Sequence, residues 1–93
     1  MSIHNYLDLS TCHITEKDSQ ILTENKDLPF RVIPHEYGYW INVQSAVTMG
    51  VCKKHNLSSD FFKLIFIAFI KNCDWINLDR DSEIEKQLNV NNW

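Results

Sequence analysis

The chain has 93 residues, 44% of them hydrophobic and 23% charged, which suits one domain with one modest core and excludes both a two-domain arrangement and wholesale disorder. Its formal net charge of −3 leaves no global basic field to hold a phosphate backbone, so direct nucleic-acid binding is not expected. Three cysteines without paired spacing fit a reduced, cytoplasmic chain better than a disulfide scaffold, and the opening MSIHNYLDLS has no basic-then-apolar secretion signal.

Residues 4–9 alternate, with Tyr6 and Asp8 on one side and Asn5, Leu7 and Leu9 on the other, as a half-buried strand does. Thr15 then stands as a helix cap with Asp18 in the capping-box position, which predicts a short helix over residues 16–24 turning Ile14, Ile21 and Leu22 inward. After a loop at 25–29, residues 30–33 read as a strand that Pro34 confines to a sheet edge or terminates. Glu36-Tyr37-Gly38 supplies a turn, and residues 39–43 return as the antiparallel partner. Ser45 is a candidate cap for a second helix over 46–55, whose Val47, Met49 and Val51 are placed to cover a neighbouring helix.

The most apolar segment, residues 61–70, follows Ser58, Ser59 and Asp60, which offer a cap acceptor and a negative charge to the unpaired N–H groups of a helix start. A helix over 59–72 is expected. At about 100° per residue, Phe61, Phe62, Ile65, Phe66, Ala68, Phe69 and Cys73 share a broad arc. Lys63 and Lys71 lie opposite, with Ile67 between them and Ile70 at the arc's edge. A helix so apolar around its circumference must be covered by another helix or by a partner. It is too short for a membrane span, which takes about 20 apolar residues.

Residues 75–78 form a last strand ending in Asp79-Arg80-Asp81, and the polar tail 82–93 carries Leu88, Val90 and Trp93 at spacings suited to folding back. The order β-α-β-β-α-α-β predicts an α+β fold in a single domain spanning residues 1–93: a mostly antiparallel sheet of about four strands with two or three helices on one face.

The segments STCHIT, EYGYWINV, CDWINLDRD and LNVNNW together resemble a family of short bacterial proteins carried by phages, plasmids and genomic islands. Two departures stand out: Ser82 where the family usually has Gly after Asp-Arg-Asp, and Asn91-Asn92-Trp93 where it has a Tyr-Asp-Trp ending. Ser82 must take a different turn if that glycine adopts positive φ. The resemblance implies no inherited activity. It implies a context in which small proteins act by binding a host protein, for example a defence nuclease complex, in the manner of an anti-CRISPR, or a toxin.

Among polar residues, Ser10, Thr11 and His13 end the first strand, and Asp79, Arg80 and Asp81 end the last. If those strands are parallel neighbours, the clusters meet at one sheet edge, where ligands bind in α/β folds. A serine, histidine and aspartate can form nucleophile, base and orienter, but Ser10 lacks the glycine-flanked elbow, so catalysis is not expected. Cys52 and His55 have metal-ligand spacing without a second close pair. Asp79-x-Asp81-x-Glu83 begins like a calcium loop, yet Ile84 and Val90 occupy its sixth and twelfth positions. Tyr37, Tyr39 and Trp40 read as hairpin packing, with Arg31 the one basic residue between 30 and 43.

These readings favour a non-enzymatic interaction protein without a cofactor. Its expected interface has Ile67, Ile70 and nearby apolar residues as a dry centre, with Lys63 beside them and Asp79, Arg80, Asp81 and Glu83 as a charged rim, meeting a host protein or a second copy of the chain. The competing expectation is a small enzyme or ligand-binding domain built on Ser10, Thr11, His13 and Asp79.

Overall fold

The computed structural model describes residues 5–43 and 48–93. Strand β1 (Tyr6–Leu9) passes through a 3-10 turn at Thr11–His13 into helix α1 (Glu16–Glu24). A hairpin of β2 (Val32–His35) and β3 (Gly38–Asn42) follows, then α2 (Met49–Lys54), α3 (Ser59–Ile70) and β4 (Trp75–Asp79). The sheet order is β1-β4-β3-β2, with β1 parallel to β4 and the other pairs antiparallel. This is the expected α+β architecture, and the last strand lies between the first and the third.

Local chemistry accounts for most boundaries. Thr15 accepts the Asp18 N–H at 3.0 Å while the Asp18 carboxylate accepts the Thr15 N–H at 3.0 Å, closing the capping box of α1. Pro34 lies inside β2, which runs two residues past the expected strand end at 33, because β2 is the outer strand and the missing N–H faces no neighbour. The turn itself is Glu36-Tyr37, and neither residue has positive φ. Gly38 opens β3 instead: a Cβ there would stand 1.7 Å from the Leu78 carbonyl oxygen, so β3 approaches β4 too closely for any side chain. Thr48 caps α2, whereas the expected cap Ser45 and residues 46–47 fall outside the described residues.

The core lies between the sheet's inner face (Leu9, Ile41, Ile76, Leu78) and the helices. From α3, Phe61, Leu64, Ile65 and Ala68 are buried, an arc of about 100°. That arc corrects the expected one. Leu64 points inward, while Phe66 and Phe69 are about half exposed. A helix on a sheet buries one narrow stripe, and the compact Ala68 allows close approach on the side where the phenylalanines at 66 and 69 do not fit. Ile67, expected on the spare face, packs half-buried against the core. Phe30 stacks on Phe61 with ring centroids 5.7 Å apart.

The segment after β4 is tied to the body. Leu88 is buried, the Asn91 N–H donates to the Cys12 carbonyl at 2.8 Å, and the Trp93 indole N–H donates to the Ile14 carbonyl at 3.0 Å. Side-chain amides of Asn89 and Asn91 both donate to Asp60 on the first turn of α3.

Candidate functional site

Two surfaces carry the candidate residues, and they are separate. The first is the outer face of α3. Phe66, Phe69 and Ile70 are 51%, 52% and 61% exposed, with Phe62 leaning on Phe66 at 6.1 Å. Lys63 and Lys71 stand exposed beside this stripe. The expected rim is elsewhere. A tight turn over residues 71–74 sends β4 back along α3, so Ile67 and Ile70 lie near the start of β4, whereas Asp79 closes its other end and Arg80, Asp81 and Glu83 follow beyond it. Asp79 also shares the sheet face of Asn77, opposite the buried Ile76 and Leu78 that meet α3. An apolar centre with those acids as its rim is therefore not one surface.

The second surface is a cleft of about 560 Å³ at the carboxyl ends of β1 and β4. Its lining includes Ser10, Thr11, Tyr37, Tyr39, Arg80 and Trp93. The parallel pairing Leu9↔Leu78 brings the two strand ends together, and the Ser10 N–H donates to the Glu83 carbonyl at 3.3 Å. At the rim, the Arg80 guanidinium lies 5.0 Å from the Tyr37 ring centroid, a cation–π arrangement. The Arg80 N–H is fixed to the Tyr37 carbonyl at 3.0 Å. The Tyr39 hydroxyl is held at 2.9 Å from Ser19 Oγ and 2.6 Å from Thr23 Oγ1.

His13 is not part of this cleft. It is 1% exposed, its Nε2 accepts the Glu85 N–H at 2.8 Å, and its Nδ1 lies 2.8 Å from the Asn89 carbonyl. Accepting at Nε2 fixes the proton on Nδ1, which donates to Asn89. Both nitrogens are thus committed to backbone groups of the tail, and neither is available as a base. Ser10 Oγ accepts the Cys12 N–H at 3.3 Å, and Asp79 Oδ1 accepts the Asp81 N–H at 2.8 Å. The expected serine, histidine and aspartate side chains stand at one end of the sheet but form no relay with one another.

Cys52 is buried, and burial, aided by the nearby Asp18 carboxylate, pushes its thiol up from 9.0 to about 11. It is a core residue at neutral pH, not a thiolate ligand. Among the described residues, no three His, Cys, Asp or Glu side chains gather closely enough to hold a metal ion. Nor is any described helix long and apolar enough to cross a membrane.

The family of unknown function (DUF5983) C-terminal domain matches residues 6–93. The chain belongs to this DUF5983 family. No curated protein and no solved structure matches it. The DUF5983 match runs from the first residue of β1 to the terminal Trp93, so it takes in the whole sheet and both candidate surfaces.

Two contributions in this DUF5983 domain escaped sequence reading. Asp18 was legible as a local cap, but its carboxylate also accepts the Ser58 N–H at 2.8 Å and the Ser58 hydroxyl, joining the starts of α1 and α3. On the sheet's outer face, the Asn77 amide donates to Asp8 Oδ1 at 2.9 Å, and its oxygen lies 2.9 Å from His35 Nε2. The Tyr37 N–H meets His35 Nδ1 at 3.2 Å, so the chain of bonds places the proton on Nε2. Alternation set Asp8 on the side opposite Leu7 and Leu9, and placed Asn77 in a strand without assigning it a face. Only the strand order makes them neighbours.

Proposed function

We propose that this protein is a non-enzymatic interaction module that docks on another protein through the outer face of α3. The observation that carries this reading is the exposure of Phe66, Phe69 and Ile70 on one side of a single helix. Fully burying one such side chain contributes about 1.5–3 kcal/mol, so covering the exposed half of all three contributes about 3 kcal/mol, or roughly 100-fold in affinity. Lys63 and Lys71 border the stripe, and neither makes an ion pair among the described residues. The complementary partner surface is apolar with acidic residues at its margin. The resemblance to mobile-element proteins makes a host protein the partner of first choice.

The test places a photo-crosslinking phenylalanine analogue at position 69 in cells, with position 33 on the opposite side of the molecule as control. The expected result is a cross-link to one protein from position 69 alone. That protein, once purified, should bind the wild-type chain and lose about tenfold or more with Phe69→Gln or Lys63→Glu. A cross-link only to a second copy of this chain would replace the heterologous partner with self-association. No cross-link beyond the control level would overturn docking through α3.

A further inference from the structure

We propose that the cleft at the carboxyl ends of β1 and β4 binds a small zwitterion of the free amino-acid class, with its carboxylate on Arg80 and Thr11 and its ammonium on Glu36. No residue of α3 lines this cleft, so the site stands independently of docking through that helix.

Three side chains in the lining hold unused polar capacity. The Arg80 guanidinium lies 5.0 Å from the Tyr37 ring centroid, and it makes no hydrogen bond or ion pair among the described residues. Glu36, in the hairpin turn, lines the same cleft, and its carboxylate has no hydrogen bond or ion pair among the described residues. Thr11, from the 3-10 turn after β1, also lines the cleft, and its hydroxyl has no partner among the described residues. Arg80 and Glu36 belong to one corner of the sheet, since the Arg80 N–H donates to the carbonyl of Tyr37, the residue after Glu36. A planar guanidinium with a neighbouring hydroxyl donor suits a carboxylate.

Charge decides between ligand classes. A phosphate dianion would meet Glu36 within the cleft and Asp79, Asp81 and Glu83 along the adjoining chain, on a protein of net charge −3. A zwitterion adds no net charge and gives each unpaired group its counter-charge. The rest of the lining fits its side chain: Pro34, the Tyr39 ring and Trp93 supply apolar area. The Tyr39 hydroxyl is already committed to Ser19 and Thr23, so the ring rather than the hydroxyl meets the ligand. The cleft volume, about 560 Å³, lies within the ordinary range of small-molecule sites.

Amide-resolved NMR titration of the full chain tests this, using L-phenylalanine and other apolar amino acids, then N-acetyl-L-phenylalanine and L-phenylalaninamide. Saturable shifts at the Thr11, Tyr37 and Arg80 amides are expected with a free amino acid. Each blocked derivative should bind about tenfold more weakly, as should the Arg80→Gln and Glu36→Gln variants. Both variants alter exposed side chains, and unchanged shifts for Ile41, Ile76 and Leu78 will show that the fold is intact. The absence of saturable binding by any free amino acid would overturn the site. Equal affinity for the N-acetyl derivative would overturn the zwitterion assignment by removing Glu36 from recognition.

Discussion

Asp18 and Ser58, 40 residues apart, share one buried carboxylate: Asp18 closes its own helix start and also holds the N–H and hydroxyl of the residue that caps α3. Ser58 Oγ in turn accepts the Phe61 N–H at 3.1 Å. The two helix starts are therefore one hydrogen-bonded unit, and Asp18 is 0% exposed within it.

Removing that carboxylate leaves two buried N–H groups without acceptors. Asp18→Ala is expected to lower stability by about 3 kcal/mol, and Asp18→Asn by less because one oxygen remains. Urea denaturation measures both. A loss below about 1 kcal/mol for Asp18→Ala would show that water replaces the carboxylate at both caps.

His13 ties the tail to the body. His13→Ala should cost about 2–4 kcal/mol through the cavity and the stranded Glu85 N–H, and should speed hydrogen exchange at Glu85 and Asn91. Limited proteolysis should then cut within residues 82–93 before it cuts elsewhere. If the variant keeps full stability and tail protection but loses a biological activity, His13 acts in chemistry and this reading of it fails.

On α3, neighbouring residues should behave oppositely. Ile67→Asp puts a charge against the core and is expected to destabilise the fold by about 2 kcal/mol or more, whereas Phe69→Gln should change stability by only about 0.5 kcal/mol. Thermal or urea melts separate the two. Equal, small effects would mean that Ile67 is as free as Phe69.

Cys52 makes stability fall at alkaline pH. Its folded-state pKa lies near 11, above the unfolded value of 9.0, so the unfolded chain releases a proton that the folded chain keeps as pH rises through that window. The stabilisation is complete below pH 9 and declines between about 9 and 11. Cys52→Ala should flatten this decline in urea melts. At pH 8 a thiol reagent should modify the half-buried Cys12 and Cys73 well before Cys52.

Elements with local signals were legible in the sequence: the Thr15 cap and Asp18 fixed α1, the Ser58 start fixed α3, and alternation marked the strands. The face of α3 was less so. Its circumference is apolar on more than one side, and only the sheet determines that Leu64 turns inward while Phe66 and Phe69 do not. The polar cluster was half legible for a related reason. Strand ends put Ser10, Thr11 and Asp79 at one edge, but the direction of His13 depends on tail groups more than 70 residues away. Gly38 looked like a turn residue, and nothing local signals the Leu78 carbonyl behind it.

The pairing of β1 with β4 also constrains the order of events during synthesis. Tyr6 pairs with Trp75, and among the described residues β1 has no other strand beside it. At about 5–20 residues per second, the first strand waits several seconds on the ribosome with its Leu7 and Leu9 face uncovered. The hairpin of β2 and β3 can close in that interval, yet β4 must still arrive between it and β1. Closure of this sheet thus waits on β4, so that β1, made before the other strands of the domain, is among the last to be placed.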